Sequence, residues 1–160
     1  MKLRVIASCA LVLAIISFSL RAGAQETAKT TSSTTAKQYS GMYSFLKEGE
    51  FVQLTVEDDG RIAGFVSRYG DGESDRDAFL DQYFKSGKLE GNNLSFITET
   101  VHAVWFEFKG TVERGEGKNP GDEAYYVLKG TLTYNATDAG KKAITHPREV
   151  ELKMFPKESN

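Results

Sequence analysis

From Val104 onward, apolar side chains take alternate positions. Val104, Phe106, Phe108 and Val112 share one face; Trp105, Glu107, Lys109 and Thr111 share the other. A period of two belongs to a β-strand with one face buried and one mostly wet. The stretch Val101–Val112 also holds the only Trp and one of the two His. A half-buried strand of this kind cannot stand alone; it needs neighbours that pair with its backbone and cover its apolar face.

The rest of the chain supplies them. Three Pro, fifteen Gly and frequent aromatics after Tyr39 fit short strands joined by tight turns. The predicted strands are about Ser40–Leu46, Glu50–Glu57, Arg61–Tyr69, Asp81–Glu90, Asn93–Glu99, the Val101 stretch extended to Arg114, Glu123–Asn135 and Pro147–Phe155. Ser74 and Asp77 are candidate caps for a helical turn carrying Phe79 and Leu80. Eight sequential strands with mostly short connections predict an all-β fold, an eight-stranded antiparallel up-and-down barrel, since closure removes both sheet edges.

The turns set registers. Asp58-Asp59-Gly60, read as a three-residue loop with Gly60 left-handed, places Val56 opposite Ile62, Leu54 opposite Gly64 and Val52 opposite Val66. It also places Arg61 opposite Glu57 on the wet face. A two-residue turn at Gly91-Asn92 sets Leu89 opposite Leu94 and Gly87 opposite Phe96. Turns centred near Val101 and Lys118 set Phe96 opposite Phe106, Leu94 opposite Phe108, Phe106 opposite Gly130, Phe108 opposite Leu128 and Gly110 opposite Tyr126. Small residues then sit beside large ones, as a small barrel interior requires.

The first residues read as an address rather than a fold. Met1-Lys2-Leu3-Arg4 is basic, Val5–Leu20 is apolar, and Ala22-Gly23-Ala24 has the A-x-A form of a cleavage site. Residues 1–24 are expected to be a cleaved signal peptide, 25–38 a disordered linker rich in Thr and Ser, 39–156 the barrel domain and 157–160 a tail. Cys9, the only Cys, leaves with the signal, so the mature chain is expected to hold no disulfide, thiol nucleophile or thiolate metal site. Lys2, Arg4 and Arg21 leave with it and no acid does, which takes the formal charge from −2 to −5. That balance argues against nucleic acid or an anionic membrane as main partner. A secreted or periplasmic location follows, with no integral membrane span after cleavage.

In up-and-down order one rim collects Lys47–Gly49, Tyr69–Leu80, Thr98–Ala103 and Ala136–Pro147. Arg68, Asp81, Tyr83, Lys85, Thr98, His102, Tyr134, His146 and Arg148 lie near it. A barrel mouth with a few polar groups over an apolar floor is a usual ligand site. The candidate ligand-binding residues are Arg68, Asp81, Tyr83, His102, Tyr134 and Arg148. No metal, cofactor or catalytic residue is assigned. The two His lack metal-ligand spacing, and Asp71, Glu73, Asp75 and Asp77 lack the Gly and distal Glu of a calcium loop. No nucleophile elbow, P-loop or dinucleotide fingerprint occurs. Asn93 and Asn135 begin glycosylation sequons.

Gly41-Met42-Tyr43 resembles the Gly-x-Trp start of lipocalins, with Tyr in place of Trp. Gly60-Arg61-Ile62-Ala63-Gly64-Phe65 resembles the avidin hairpin pattern Gly-x-apolar-x-Gly-x-aromatic. Over roughly Ser40–Phe155 the chain is thus similar to the calycin barrels. The resemblance implies small-molecule binding in the open end, and implies that Arg148 packs on the first-strand aromatic. The ligand tryptophans of avidins have no counterpart beside the single Trp105, so biotin binding is not expected.

The leading expectation is an exported barrel that binds a small, partly apolar ligand at its mouth. A second is a protein-interaction module, or a homo-oligomer, that uses the outer face around Trp105 with Phe51, Phe65 or Tyr125. A third is an isomerase or hydrolase in the same mouth with His102 as base. No motif supports it, and the expectation leans away from an enzyme.

Overall fold

The computed structural model describes residues 37–73, 75–76, 78–138 and 140–157. The expected signal peptide and most of the expected linker lie outside these residues. So do Ser74 and Asp77, the expected helix caps. Among the described residues no helix is long and apolar enough to cross a membrane.

The strands are β1 (Gly41–Ser44), β2 (Phe51–Val56), β3 (Ile62–Tyr69), β4 (Phe79–Glu90), β5 (Asn93–Thr98), β6 (Val104–Arg114), β7 (Tyr126–Thr137) and β8 (Ala143–Lys153). They form one antiparallel sheet in which each strand pairs with its neighbours in sequence. Phe79 and Leu80, expected on a helical turn, open β4, where they pair with Tyr69 and Arg68. β8 starts at Ala143, four residues before the expected Pro147.

β4 serves both halves of the sheet. Its first part pairs with β3, its second part with β5, and the register shifts between Phe84 and Ser86. Such an irregularity bends a strand and raises its twist, which helps an open sheet curl. The curl brings β1 to β8 without completing a barrel. The two strands meet in one isolated bridge, Tyr43 with Met154, extended by Phe155 N–H donating to Met42 O at 2.8 Å. The expected closure is therefore not reached. β1 is only four residues long and ends at Ser44, so it cannot reach the half of β8 nearer Ala143. That half keeps an edge with no strand beside it among the described residues. Pro147, which has no N–H to donate, lies within it, as suits an edge strand.

The hairpin registers at Asp58–Gly60 and Gly91–Asn92 are as the turn residues predict. Val56 faces Ile62, Leu54 faces Gly64, Val52 faces Val66, Leu89 faces Leu94 and Gly87 faces Phe96. Gly60 takes the left-handed conformation, with φ 83°, and Arg61 pairs with Glu57 at 2.5 Å.

The next two registers differ from expectation. Phe96 faces Phe108 and Leu94 faces Gly110, a shift of two. Phe106 faces Tyr134, Phe108 faces Leu132 and Gly110 faces Gly130, a shift of four. The first has a local cause. Val101 and Val104 exchange backbone hydrogen bonds around the two-residue turn His102-Ala103. The Thr98 hydroxyl, not a backbone carbonyl, accepts from Phe106 N–H at 3.0 Å. The second arises in the loop after Arg114, where Gly115 and Gly117 N–H bond back to Tyr125 and Ala124 carbonyls and move its centre toward Pro120.

Even shifts preserve the faces. Val104, Phe106, Phe108 and Val112 are all buried, and Trp105 is half-buried on the outer side. One inner row reads Gly87–Phe96–Phe108–Leu132–Arg148, the next Leu89–Leu94–Gly110–Gly130–Val150. Phe96 stacks on Phe84 and Phe108 with centroids 4.4 and 5.4 Å away. Each fully buried Leu or Phe contributes about 1.5–3 kcal/mol from apolar area removed from water. The Gly110–Gly130 pair lets two backbones approach. A Cβ on Gly130 would lie 2.3 Å from Lys109 O and 2.5 Å from Gly110 Cα.

Arg148 does not pack on the first-strand aromatic. Tyr43 bridges Met154, six residues further along β8 from Arg148, and its buried hydroxyl donates to Tyr39 O at 2.6 Å. The guanidinium stacked at that end is that of Arg114, 3.3 Å over Tyr125.

Candidate functional site

Strand order brings four connections to one rim: Leu46–Glu50, Gly70–Ala78, Glu99–Ala103 and the β7–β8 turn. Phe106 is the hub below them. Phe45 packs edge-on against its ring at 5.2 Å and Tyr134 at 5.7 Å. The Arg68 guanidinium lies 5.5 Å from its centroid, close enough for a cation–π attraction. Tyr134 in turn lies 6.3 Å from the His146 ring, its cross-strand partner on β8.

Arg68 is only 3% exposed. Its charge is held by three acceptors. Nε donates to Gln82 Oε1 at 2.6 Å. Nη1 donates to Tyr69 O at 2.9 Å and to Asp71 Oδ2 at 2.7 Å. Gln82 is itself fully buried, and its Nε2 donates to Val104 O and Glu99 O at 2.9 and 3.2 Å. Those bonds orient the amide so that its carbonyl oxygen meets Arg68. A buried charge persists only with this kind of pairing. Glu50, also buried, accepts from Lys47 N–H and Tyr69 N–H and ties the β1–β2 turn to β3.

The Tyr134 phenol is raised above its ordinary pKa, chiefly by burial, then by the Asp71 carboxylate, with Arg68 pulling the other way. Tyr134 is therefore electrostatically coupled to the Arg68–Asp71 pair.

His102 sits on the rim, away from this cluster. It and Ala103 have φ of 49° and 63°, a left-handed pair in a turn that usually takes Asn or Gly. Such backbone is costly for residues with a Cβ. The His102 Nδ1 lies 2.6 Å from Asp75 Oδ2. Because an ionised carboxylate only accepts, Nδ1 donates. Asp75 is 7% exposed, and the hydrogen bond from His102 is the main cause holding its carboxyl below the usual value. The pair pins the β3–β4 loop to the β5–β6 turn.

The six predicted residues thus divide. Arg68 and Tyr134 meet over Phe106. Arg148 lies on the same inner face, opposite Leu132, and is exposed beside the uncovered edge of β8. His102 is on the rim with Asp75. Asp81 and Tyr83 point to the outer face. Asp81 accepts from Ser67 Oγ at 2.7 Å, and Tyr83, 62% exposed, packs on Phe65. From the sequence, Phe106 falls among the residues that fill the barrel, Gln82 is not singled out, and Asp71 is considered only within the acidic loop, not as a partner of Arg68. Gln82 had a signal: it alternates with Leu80 and Phe84, so it is a polar residue in an inward series. Asp71 had none, since its contact depends on the loop path.

Among the described residues no cluster of three or more His, Asp or Glu side chains can hold a metal ion. An open depression of about 450 Å³ lies at the opposite rim, lined by Glu116, Lys118, Asp122 and Lys153. It holds none of the aromatic groups of the mouth. Asn135 is buried, donating to Glu107 and accepting from Thr145, whereas Asn93 is exposed.

No protein-family model matches the sequence, and no curated protein matches it. Among solved structures, the crystal structure of rhizavidin is similar, with TM-score 0.60 over 79% of this chain and 90% of that chain. Identity is 9%, so the likeness is one of fold. The chain has an avidin-like, calycin-like fold: eight antiparallel strands in up-and-down order, curled but with open edges.

Proposed function

We propose that this protein is exported and binds a small, partly apolar ligand at the Phe106–Tyr134 mouth. The observation that carries the reading is the uncovered inner face of β8. Phe106 with Phe45, Tyr134 and Arg68 forms an aromatic and cationic floor. Beside it, Ile144, His146 and Arg148 share the inner face of β8 and remain exposed; β7 pairs with them on one side, and among the described residues no strand lies on the other. An apolar floor with a few fixed polar groups is the usual make-up of a small-molecule site. The avidin-like fold favours ligand binding in general. Export rests on the basic start, apolar run and Ala22-Gly23-Ala24 of the first residues.

The test is a fluorescence titration with N-phenyl-1-naphthylamine, an uncharged aromatic probe. Saturable enhancement, weakened about tenfold by Tyr134→Ala through loss of one aromatic wall, is expected. Enhancement unchanged in Tyr134→Ala would remove the mouth from consideration. The intact mass of the protein recovered outside the cytoplasm should start at Gln25.

A second reading has its own observation. Phe51, Phe65 and Tyr83 form a continuous outer row, with centroids 5.9 and 5.5 Å apart, and Tyr69 packs on exposed Phe79 at 4.5 Å. This stripe, rather than half-buried Trp105, is the better outer contact surface. A monomer by light scattering at high concentration, unaffected by Tyr83→Ser, would count against self-association there.

A further inference from the structure

Resting on the ligand reading above, we infer that the ligand carries an anionic head group, a carboxylate or its equivalent, which docks on the Nη2 amino group of Arg68. A guanidinium has five N–H donors in a rigid fork. Arg68 spends three: Nε on Gln82, and both of Nη1 on Tyr69 O and Asp71. Nη2 makes no hydrogen bond among the described residues. Yet no side-chain nitrogen or oxygen among them is both sealed from solvent and without a partner. Nη2 therefore opens onto accessible space, although the residue as a whole is 97% buried by its 3% exposure. Two N–H groups of a fixed, largely dehydrated cation are thus unspent, on a guanidinium whose centre lies 5.5 Å from the Phe106 ring.

The surroundings select the sign of the acceptor. Arg148 shares the inner face with His146 and has no ion pair among the described residues. Lys47 reaches Asp71 only at 3.8 Å. Against these stand Asp71, already committed to Arg68 Nη1, and Glu50, whose two oxygens are taken by backbone N–H groups. Both anions are occupied, while cationic donors remain. A neutral carbonyl would also accept from Nη2, but an anion adds direct charge–charge attraction, which is strong where water is largely excluded. Phe106 and Tyr134, packed beside the fork, then receive the apolar body of the ligand.

The experiment is a matched pair of probes, 1-pyrenebutyrate and 1-pyrenebutanol, titrated by fluorescence anisotropy against the purified protein. They differ only in the head group. The expected result is about tenfold tighter binding of the butyrate, from a hydrogen bond to a charged group. That preference should fall to near unity in Arg68→Gln and decrease in Arg148→Gln. Arg68 is part of a buried network, so the exposed Arg148 substitution keeps the test informative if Arg68→Gln does not fold. Equal affinity for the two probes in the wild type overturns the anionic head group and leaves the ligand reading standing. A preference that survives both substitutions overturns the assignment to Arg68. Failure of both probes to bind overturns the ligand reading itself, and this inference with it.

Discussion

Two inner levels of the same sheet lie two residues apart along each strand, about 7 Å, and are built on different principles. The lower level, Phe96–Phe108–Leu132 with Leu94–Gly110–Gly130 beneath, is dry and closely packed. The upper level, Phe106–Tyr134–His146 with Arg68 and Gln82, places a polar group beside every ring. The lower one removes area from water and stabilises the fold. The upper one fixes donors and acceptors at some cost in desolvation, which is typical of a site rather than a core. Along the open edge of β8, His146 of the upper level is exposed together with Arg148 at the end of the row below.

Substitutions at the two levels are expected to separate stability from binding. The largest stability effect is expected for Phe108→Ala, a loss of about 3–5 kcal/mol from transfer and cavity terms together, measured by urea unfolding. Tyr134→Ala should cost far less stability while weakening the neutral probe; the reverse order would break the distinction. Gly130→Ala comes next, with a loss of about 1–3 kcal/mol from overpacking. Its new Cβ meets backbone rather than a movable side chain. A neutral result would show that β6 and β7 separate more easily than their pairing implies.

The smallest effect concerns the rim. The carboxyl of Asp75 is held below its ordinary value by His102. A depressed folded-state pKa contributes stability that is present above the unfolded value, near 3.9, and is lost as pH falls through the folded value. Asp75→Asn should therefore lower Tm at pH 7, and the gap to wild type should close below about pH 4. A gap independent of pH would assign the contact a purely steric role.

Much of the fold was legible because alternation is insensitive to register. The inward set Val104, Phe106, Phe108 and Val112 survives shifts of two and four residues. Registers themselves were legible only where a short turn carried Gly, as at Gly60 and Gly91. His102-Ala103 gives no such signal, because neither residue favours positive φ. Closure was not legible, since it depends on the length of β1 and the bend in β4 rather than on any residue pattern. At the site, proximity to the rim selects Asp81 and Tyr83, but strand parity turns both outward while Gln82 between them turns in. The pairing of Asp75 with His102 spans 27 residues and rests on a loop path that local sequence does not encode.

The most direct test of the account is to locate a bound probe residue by residue. Backbone amide shifts in a two-dimensional NMR titration with N-phenyl-1-naphthylamine would do so. Saturable shifts centred on Arg68, Phe106, Tyr134 and His146 are expected, with Phe96 and Leu94 little affected. Shifts clustered at Glu116, Lys118 and Lys153, or along Phe65 and Tyr83 on the outer face, would contradict it.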